Sequence, residues 1–235
     1  MVSTAITVPY PSTRISEGHA RTPYWSIMHG EFPWCLDDSE QAGTPSELIG
    51  GFDLIVAVPP PLMHSTGARM RTPLDRCRPD TSWLPYAELF LRMHGSLFVF
   101  APLEAIGAYV NAITEVGLDY HTTYLWNGGT DEAVAALIWA AKDTPLGGPL
   151  PNVNGLLNIS TSTTRLAEER EEWLYELLVE NFTQPEMTVL EPFMAGSRLL
   201  SVCQKRQRYC LAVARKRSHI KQAEQLLLGG LKQTA

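Results

Sequence analysis

The chain has 235 residues, 45% of them hydrophobic, and a formal net charge of −6. That length and apolar content suit one α/β domain with a sizeable core, and no apolar run is long enough to span a bilayer. The opening residues lack the basic-then-apolar pattern of a secretory signal. Residues 1–23, with Pro9, Pro11, Ser12 and Thr13, are expected to form a loose arm ahead of a domain over 24–230.

Taken in chain order, short apolar runs predict strands at 25–28 and 52–57, a helix at 83–92, and a strand at 96–100. A helix over 103–116, ended by Gly117, leads to strands at 121–126 and 136–140. The stretch 147–164 holds Gly147, Gly148, Pro149, Pro151, Asn152, Asn154 and a Ser/Thr run, and reads as a surface connection between two halves. Leu166, Trp173, Leu174, Leu177 and Leu178 share one face of a helix over 165–182, with glutamates on the other. A strand at 187–190, a helix at 198–206, a strand at 209–213 and a helix at 218–228, stopped by Gly229-Gly230, complete the chain. Several strands are continuously apolar, as strands buried on both faces are. Strands alternating with helices predict a mostly parallel sheet with helices on both faces.

Four cysteines, at 35, 77, 203 and 210, form no CxxC pair, and the six histidines form no HExxH motif or Cys/His cluster. No structural metal and no disulfide framework are expected, and a reducing cytoplasm is the simplest setting. The acidic balance hides an asymmetry. Arg198, Lys205, Arg206, Arg208, Arg215, Lys216, Arg217 and Lys221 are basic, with no acid between Arg198 and Ala223. Such a run is either a solvated helix face or an anion-facing patch.

Particular segments carry a resemblance. Phe52-Asp53-Leu54-Ile55-Val56-Ala57-Val58-Pro59-Pro60-Pro61 resembles the strand and Asp-Pro-Pro-Tyr motif of the DNA amino-methyltransferases. Residues 89–100 resemble that family's next helix, Gly turn and strand, and 124–127 and 136–142 its following two strands. Val189-Leu190-Glu191-Pro192-Phe193-Met194-Ala195-Gly196-Ser197 is similar to its Asp-Pro-Phe-x-Gly-x-Gly cofactor loop. The catalytic motif precedes the cofactor motif, as in the circularly permuted (beta) class, and Trp25–Met28 with His29-Gly30-Glu31 resemble that class's opening strand and Gly-Asp turn. The resemblance spans roughly 24–228. It implies a Rossmann-like class I methyltransferase sheet of seven strands in permuted order, with one antiparallel strand near its edge. It divides the chain into a catalytic half (24–142), a short connection (143–164) and a cofactor half (165–230).

The resemblance implies S-adenosylmethionine as cofactor and an exocyclic amino group as acceptor. In the family, an Asp, Asn or Ser and a proline carbonyl accept hydrogen bonds from that amino group, and an aromatic stacks on the flipped base. Here those positions hold Val58 and Pro61, which can do neither; Pro59 keeps its carbonyl, and Pro60 follows. The bland reading of 52–61 is a core strand and a rigid turn. In the cofactor half, Glu191 keeps the family's acid, Phe193 its aromatic, and Ala195, Gly196 and Ser197 remain small. The carboxylate that the family places on the ribose hydroxyls aligns with Ala214, beside Arg215 and Lys216. Glu31 offers an alternative carboxylate near the adenine side. Weak or absent S-adenosylmethionine binding is therefore expected.

Arg69, Arg71, Arg76 and Arg78 follow Pro61, in the loop that in the family closes over the base, and with Arg215, Lys216 and Arg217 they are the candidate phosphate contacts to DNA or RNA. Three functions stay open. The first is a pseudo-methyltransferase acting as a nucleic-acid-associated binding or partner subunit, in a homodimer or a heteromeric complex. The second is an active adenine-N6 or cytosine-N4 methyltransferase with a divergent site. The third is a structural subunit with no nucleic-acid contact.

Overall fold

The computed structural model describes residues 24–33, 48–60, 79–126, 135–151, 156–157 and 167–231. The elements in chain order are β1 (Trp25–His29), β2 (Phe52–Ala57), α1 (Leu84–Phe90), β3 (Leu91–Pro102), α2 (Ile106–Glu115), β4 (Asp119–Trp126), β5 (Ala135–Ala141), β6 (Leu156–Leu157), α3 (Ala167–Phe182), β7 (Thr188–Glu191), α4 (Arg198–Lys205), β8 (Tyr209–Ala214) and α5 (Arg217–Leu231). They build one sheet in the order β1-β8-β7-β2-β3-β5-β4-β6. Only β5 runs against its neighbours, pairing antiparallel with both β3 and β4.

Period-two alternation divides each central strand between two cores. Leu54, Val56, Val189, Cys210, Ala212 and Ala214 face one core, with Leu174, Leu178 and Phe182 of α3, Leu199 and Cys203 of α4, and Ala223 of α5. Ile55, Ala57, Leu190, Leu211 and Val213 face the other, with Ala87 of α1 and Tyr109 and Ile113 of α2. The i, i+4 spacing of Leu174 with Leu178 and of Tyr109 with Ile113 lays these side chains along one stripe of each helix. The α/β sandwich read from the pattern is the one observed.

Four expectations need correction. Among the described residues the seven expected strands are joined by an eighth, because Leu156–Leu157 adds a short edge strand parallel to β4 inside the stretch read as irregular. Leu150, in the same stretch, is buried and its backbone N–H donates to the Tyr124 hydroxyl at 2.9 Å. The helix expected over 83–92 ends at Phe90, and Leu91 already pairs with Phe52. Arg92 is extended there because its guanidinium reaches back to the Gly50 and Gly51 carbonyls and to Asp53. The turn expected at Gly95 is an irregularity inside β3, with His94 at φ 70°. A Cβ on Gly95 would lie 2.9 Å from both the Arg92 carbonyl and the Leu91 side chain, so the close fold-back requires glycine. Finally, α5 runs through Gly229-Gly230 to Leu231. The arm at 1–23 lies outside the described residues.

At the amino-terminal end of the sheet, Asp53 ties three segments together. Its carboxylate accepts from Arg92 Nη1 at 2.7 Å and from the Thr188 backbone N–H at 2.8 Å and hydroxyl at 2.9 Å. This clamp fixes β2 against β7, the pair whose opposite ends form the candidate site.

Candidate functional site

In parallel α/β sheets, ligands bind outside the carboxyl ends of the strands, where the chain order reverses. From β7 the chain passes to β8 on one side, and from β2 it passes to β3 on the other, so the reversal lies between β7 and β2. Val58, Pro59 and Pro60 leave β2 at this point, and Glu191 through Ser197 leave β7 beside them. Sequence reasoning thus selected two segments that the fold brings side by side.

The first segment is open. Val58 is 41% exposed, Pro60 is exposed and Pro59 is half-buried. Pro61, Arg69, Arg71, Arg76 and Arg78 lie outside the described residues. Valine at the strand exit presents only methyl groups to whatever enters.

The second segment mixes open loop and tight packing. Ala195 and Gly196 are exposed, Ser197 is half-buried, and a Cβ on Gly196 would meet nothing within 4 Å. Nothing in the chain's own packing demands a glycine there. Phe193 turns inward, edge-on to Phe32 at 5.8 Å and to Trp83 at 5.2 Å. Met194 is buried, and its N–H donates to the Val213 carbonyl at 2.8 Å, tying the loop to the end of β8. One strand further, the Gly30 N–H donates to the Ala214 carbonyl at 3.1 Å. The β7 loop, the end of β8 and the end of β1 therefore meet.

Glu191 is the chemically unusual residue. It is 7% exposed, and its Oε2 is buried without a hydrogen-bond partner. Burial pushes its carboxyl from 4.5 to about 8, so at neutral pH it is largely protonated. Its neighbours on that face are the buried thiols of Cys203 and Cys210, with Cys210 also raised, chiefly by burial. The motif read as an acid therefore adds little negative charge to the site at neutral pH.

The basic run divides in two. Lys205 bonds Glu172, and Arg206 sits 3.3 Å from Glu176 and 3.0 Å from Glu180, so the α4 cations are engaged by the acidic face of α3. Buried Arg208 donates to the Thr183 hydroxyl at 3.0 Å and carbonyl at 2.8 Å. These residues serve structure within the chain, paired with α3 and Thr183 rather than forming a solvated face. Arg215, Lys216 and Arg217 lie at the other end of β8, directly after Ala214, and all three are exposed. Arg215 stands 3.5 Å from Glu31, while Lys216, Arg217 and Lys221 have no ion-pair partner among the described residues.

Among solved structures, this architecture matches M1.HpyAVI with a TM-score of 0.64, 17% identity, and coverage of 87% of this chain and 99% of that one. The fold is that of the DNA methyltransferases. The M1.HpyAVI–SAM complex matches at a TM-score of 0.63 and 17% identity, covering 86% of this chain and 98% of that one. The cytosine-N4-specific PvuII DNA methyltransferase matches at 0.62 and 15% identity, over 88% and 89% of the two chains. No protein-family model matches the chain, and no curated protein sequence matches it.

No helix among the described residues is long and apolar enough to cross a membrane. The same residues contain no group of three or more His, Cys, Asp or Glu placed to hold a metal ion. Two features escaped sequence reasoning, one at the end of β2 and β7 opposite the site and one within it. The Asp53 clamp was hidden because a lone acid inside an apolar strand carries no spacing signal. The Phe32–Phe193–Trp83 contact joins residues far apart in sequence, and only the fold reveals it.

Proposed function

We propose that this protein is a methyltransferase-fold binding or partner subunit that associates with nucleic acid and has lost efficient amino-methyl transfer. The observation that supports this reading is the exit of β2, where Val58 stands exposed at the position that the resemblance gives to the amino-group acceptor. Methylating an exocyclic nitrogen requires an acceptor that orients its lone pair and tolerates the charge developing on it. Valine supplies none, and the Pro59 carbonyl alone does not fix the orientation.

The cofactor side supports the same reading. S-adenosylmethionine needs a partner for its ribose hydroxyls and a neutral or negative surrounding for its sulfonium. The described residues do not fit it: β8 ends on Ala214, the next residues are cationic, Glu31 lies beside Arg215, and Glu191 is largely uncharged. A lost charge-assisted hydrogen bond costs about 1.5–3 kcal/mol, before the repulsion is counted.

Nucleic acid is the partner that suits the exposed cations Arg215, Lys216 and Arg217, together with Arg69, Arg71, Arg76 and Arg78 after the β2 exit. A subunit of this kind works beside another chain, either a second copy or an active methyltransferase, in a nucleic-acid-associated cytoplasmic setting. Tritiated methyl incorporation into duplex and single-stranded DNA tests the reading. The protein is expected to show none, and the Val58→Asp, Pro61→Tyr double variant is expected to stay inactive because the cofactor side is also altered. Incorporation by the unaltered protein would establish the active-enzyme reading instead.

A further inference from the structure

The cationic residues Arg215, Lys216 and Arg217 follow the end of β8, the second strand of a β-α-β unit. In a β-α-β nucleotide-binding unit, the first strand's loop approaches the ligand through small residues. The residue after the second strand, roughly 20 positions on, then selects the ribose: a carboxylate takes free hydroxyls, and an arginine takes a phosphate. Here β7-α4-β8 is such a unit, with Ala195-Gly196-Ser197 as its small-residue loop and Ala214-Arg215-Lys216-Arg217 at its second strand end.

Three observations bring these parts to one place and set the charge of what they would bind. The Met194 N–H to Val213 carbonyl bond holds the loop against the end of β8. The loop at Gly196 faces open space on its Cβ side. Among the described residues the cations there outnumber the carboxylates: Glu31 is beside Arg215, and Glu191 is buried.

We propose that the carboxyl ends of β7 and β8 hold a phosphorylated nucleoside, with Arg215, Lys216 and Arg217 taking a phosphate carried on or beside its ribose. The site departs from the sulfonium cofactor of the fold in the sign of charge it accepts. The inference rests on the misfit described under the proposed function, but not on nucleic-acid association. The phosphate belongs to a free nucleotide or to a nucleotide within a strand. Glu31 acts as an internal competitor that occupies Arg215 when no phosphate is bound.

Calorimetric titration of the full chain with adenosine 2′-phosphate, adenosine, and S-adenosylmethionine tests this. The phosphate should bind at least about tenfold tighter than adenosine, the return on one charge-assisted contact, and tighter than S-adenosylmethionine. The Arg215→Ala, Lys216→Ala, Arg217→Ala variant should bring the two nucleosides to equal affinity. Glu31→Gln, which removes a surface carboxylate and leaves the cations in place, should tighten the phosphate further. Equal affinities in the unaltered protein, no binding of adenosine 2′-phosphate, or tighter binding of S-adenosylmethionine overturns the proposal. A labelled single-stranded oligonucleotide separates the sources: displacement by adenosine 2′-phosphate assigns the site to a strand, and nucleotide binding without displacement assigns it to a free nucleotide. DNA binding without nucleotide binding defeats this inference alone. Nucleotide binding without DNA binding defeats the nucleic-acid reading alone.

Discussion

Replacing Glu191 by glutamine isolates the energetic consequence of burying a carboxyl without a partner. The folded protein holds the Glu191 proton up to about pH 8, whereas the unfolded chain releases it near 4.5. Because the folded pKa is raised, the stabilising contribution is complete below 4.5 and is lost progressively as pH rises to about 8. At about 1.4 kcal/mol per pH unit, that interval corresponds to a loss of roughly 5 kcal/mol, an upper figure because the fold can relax around the charge. Cys210 beside it is raised further by burial and stays protonated over this range, so it does not share the titration. Glutamine has nearly the same shape and does not ionise. Urea unfolding of both proteins between pH 5 and pH 8 reads the effect, and taking the difference cancels all other titrating groups. The variant should match the parent within about 1 kcal/mol near pH 5, one neutral hydrogen bond's worth, and exceed it by several kcal/mol at pH 8. A stability difference that does not change with pH would refute the reasoning.

Further outcomes follow from other interactions. Asp53→Ala should cost about 1–3 kcal/mol in urea unfolding, chiefly by leaving the buried Thr188 N–H unpaired, because the half-exposed Arg92 keeps the Gly50 and Gly51 carbonyls. Tyr124→Phe should cost about 1–3 kcal/mol by leaving the buried Leu150 N–H unpaired, again read by urea unfolding. Lys205→Ala and Arg206→Ala should each cost less than about 1 kcal/mol, because their pairs with α3 are largely exposed, and should leave DNA affinity unchanged in a gel shift. The Arg215→Ala, Lys216→Ala, Arg217→Ala variant should instead weaken binding to all DNA sequences alike and flatten the salt dependence, by about 0.9 in logarithmic slope for each phosphate that the variant no longer neutralises.

The sheet was legible because its strands are short, continuously apolar and separated by helices with clear periodicity. Phe52–Ala57 is the plainest case, with every residue buried and both bounds as expected. What failed depended on distant partners. Leu91 and Arg92 read as the end of a helix, yet Arg92 is drawn into an extended backbone by Asp53 and the Gly50 and Gly51 carbonyls. Leu156–Leu157 is too short for periodicity to register. Gly229-Gly230 reads as a stop by propensity, which costs only about 1 kcal/mol per glycine and is overridden here. The candidate site was legible as two motifs, and the fold places them side by side at the carboxyl ends of β2 and β7. The division of the basic run was not, because only the structure shows that Glu172, Glu176 and Glu180 engage the α4 cations and leave those after β8 exposed.

The proposed function holds that the site on this methyltransferase fold does not fit S-adenosylmethionine, and direct calorimetric titration of the full chain with that compound tests it most simply. The charge arrangement around Ala214, Arg215 and Glu191 predicts very weak or undetectable heat of binding at neutral pH. A dissociation constant in the low micromolar range would contradict it.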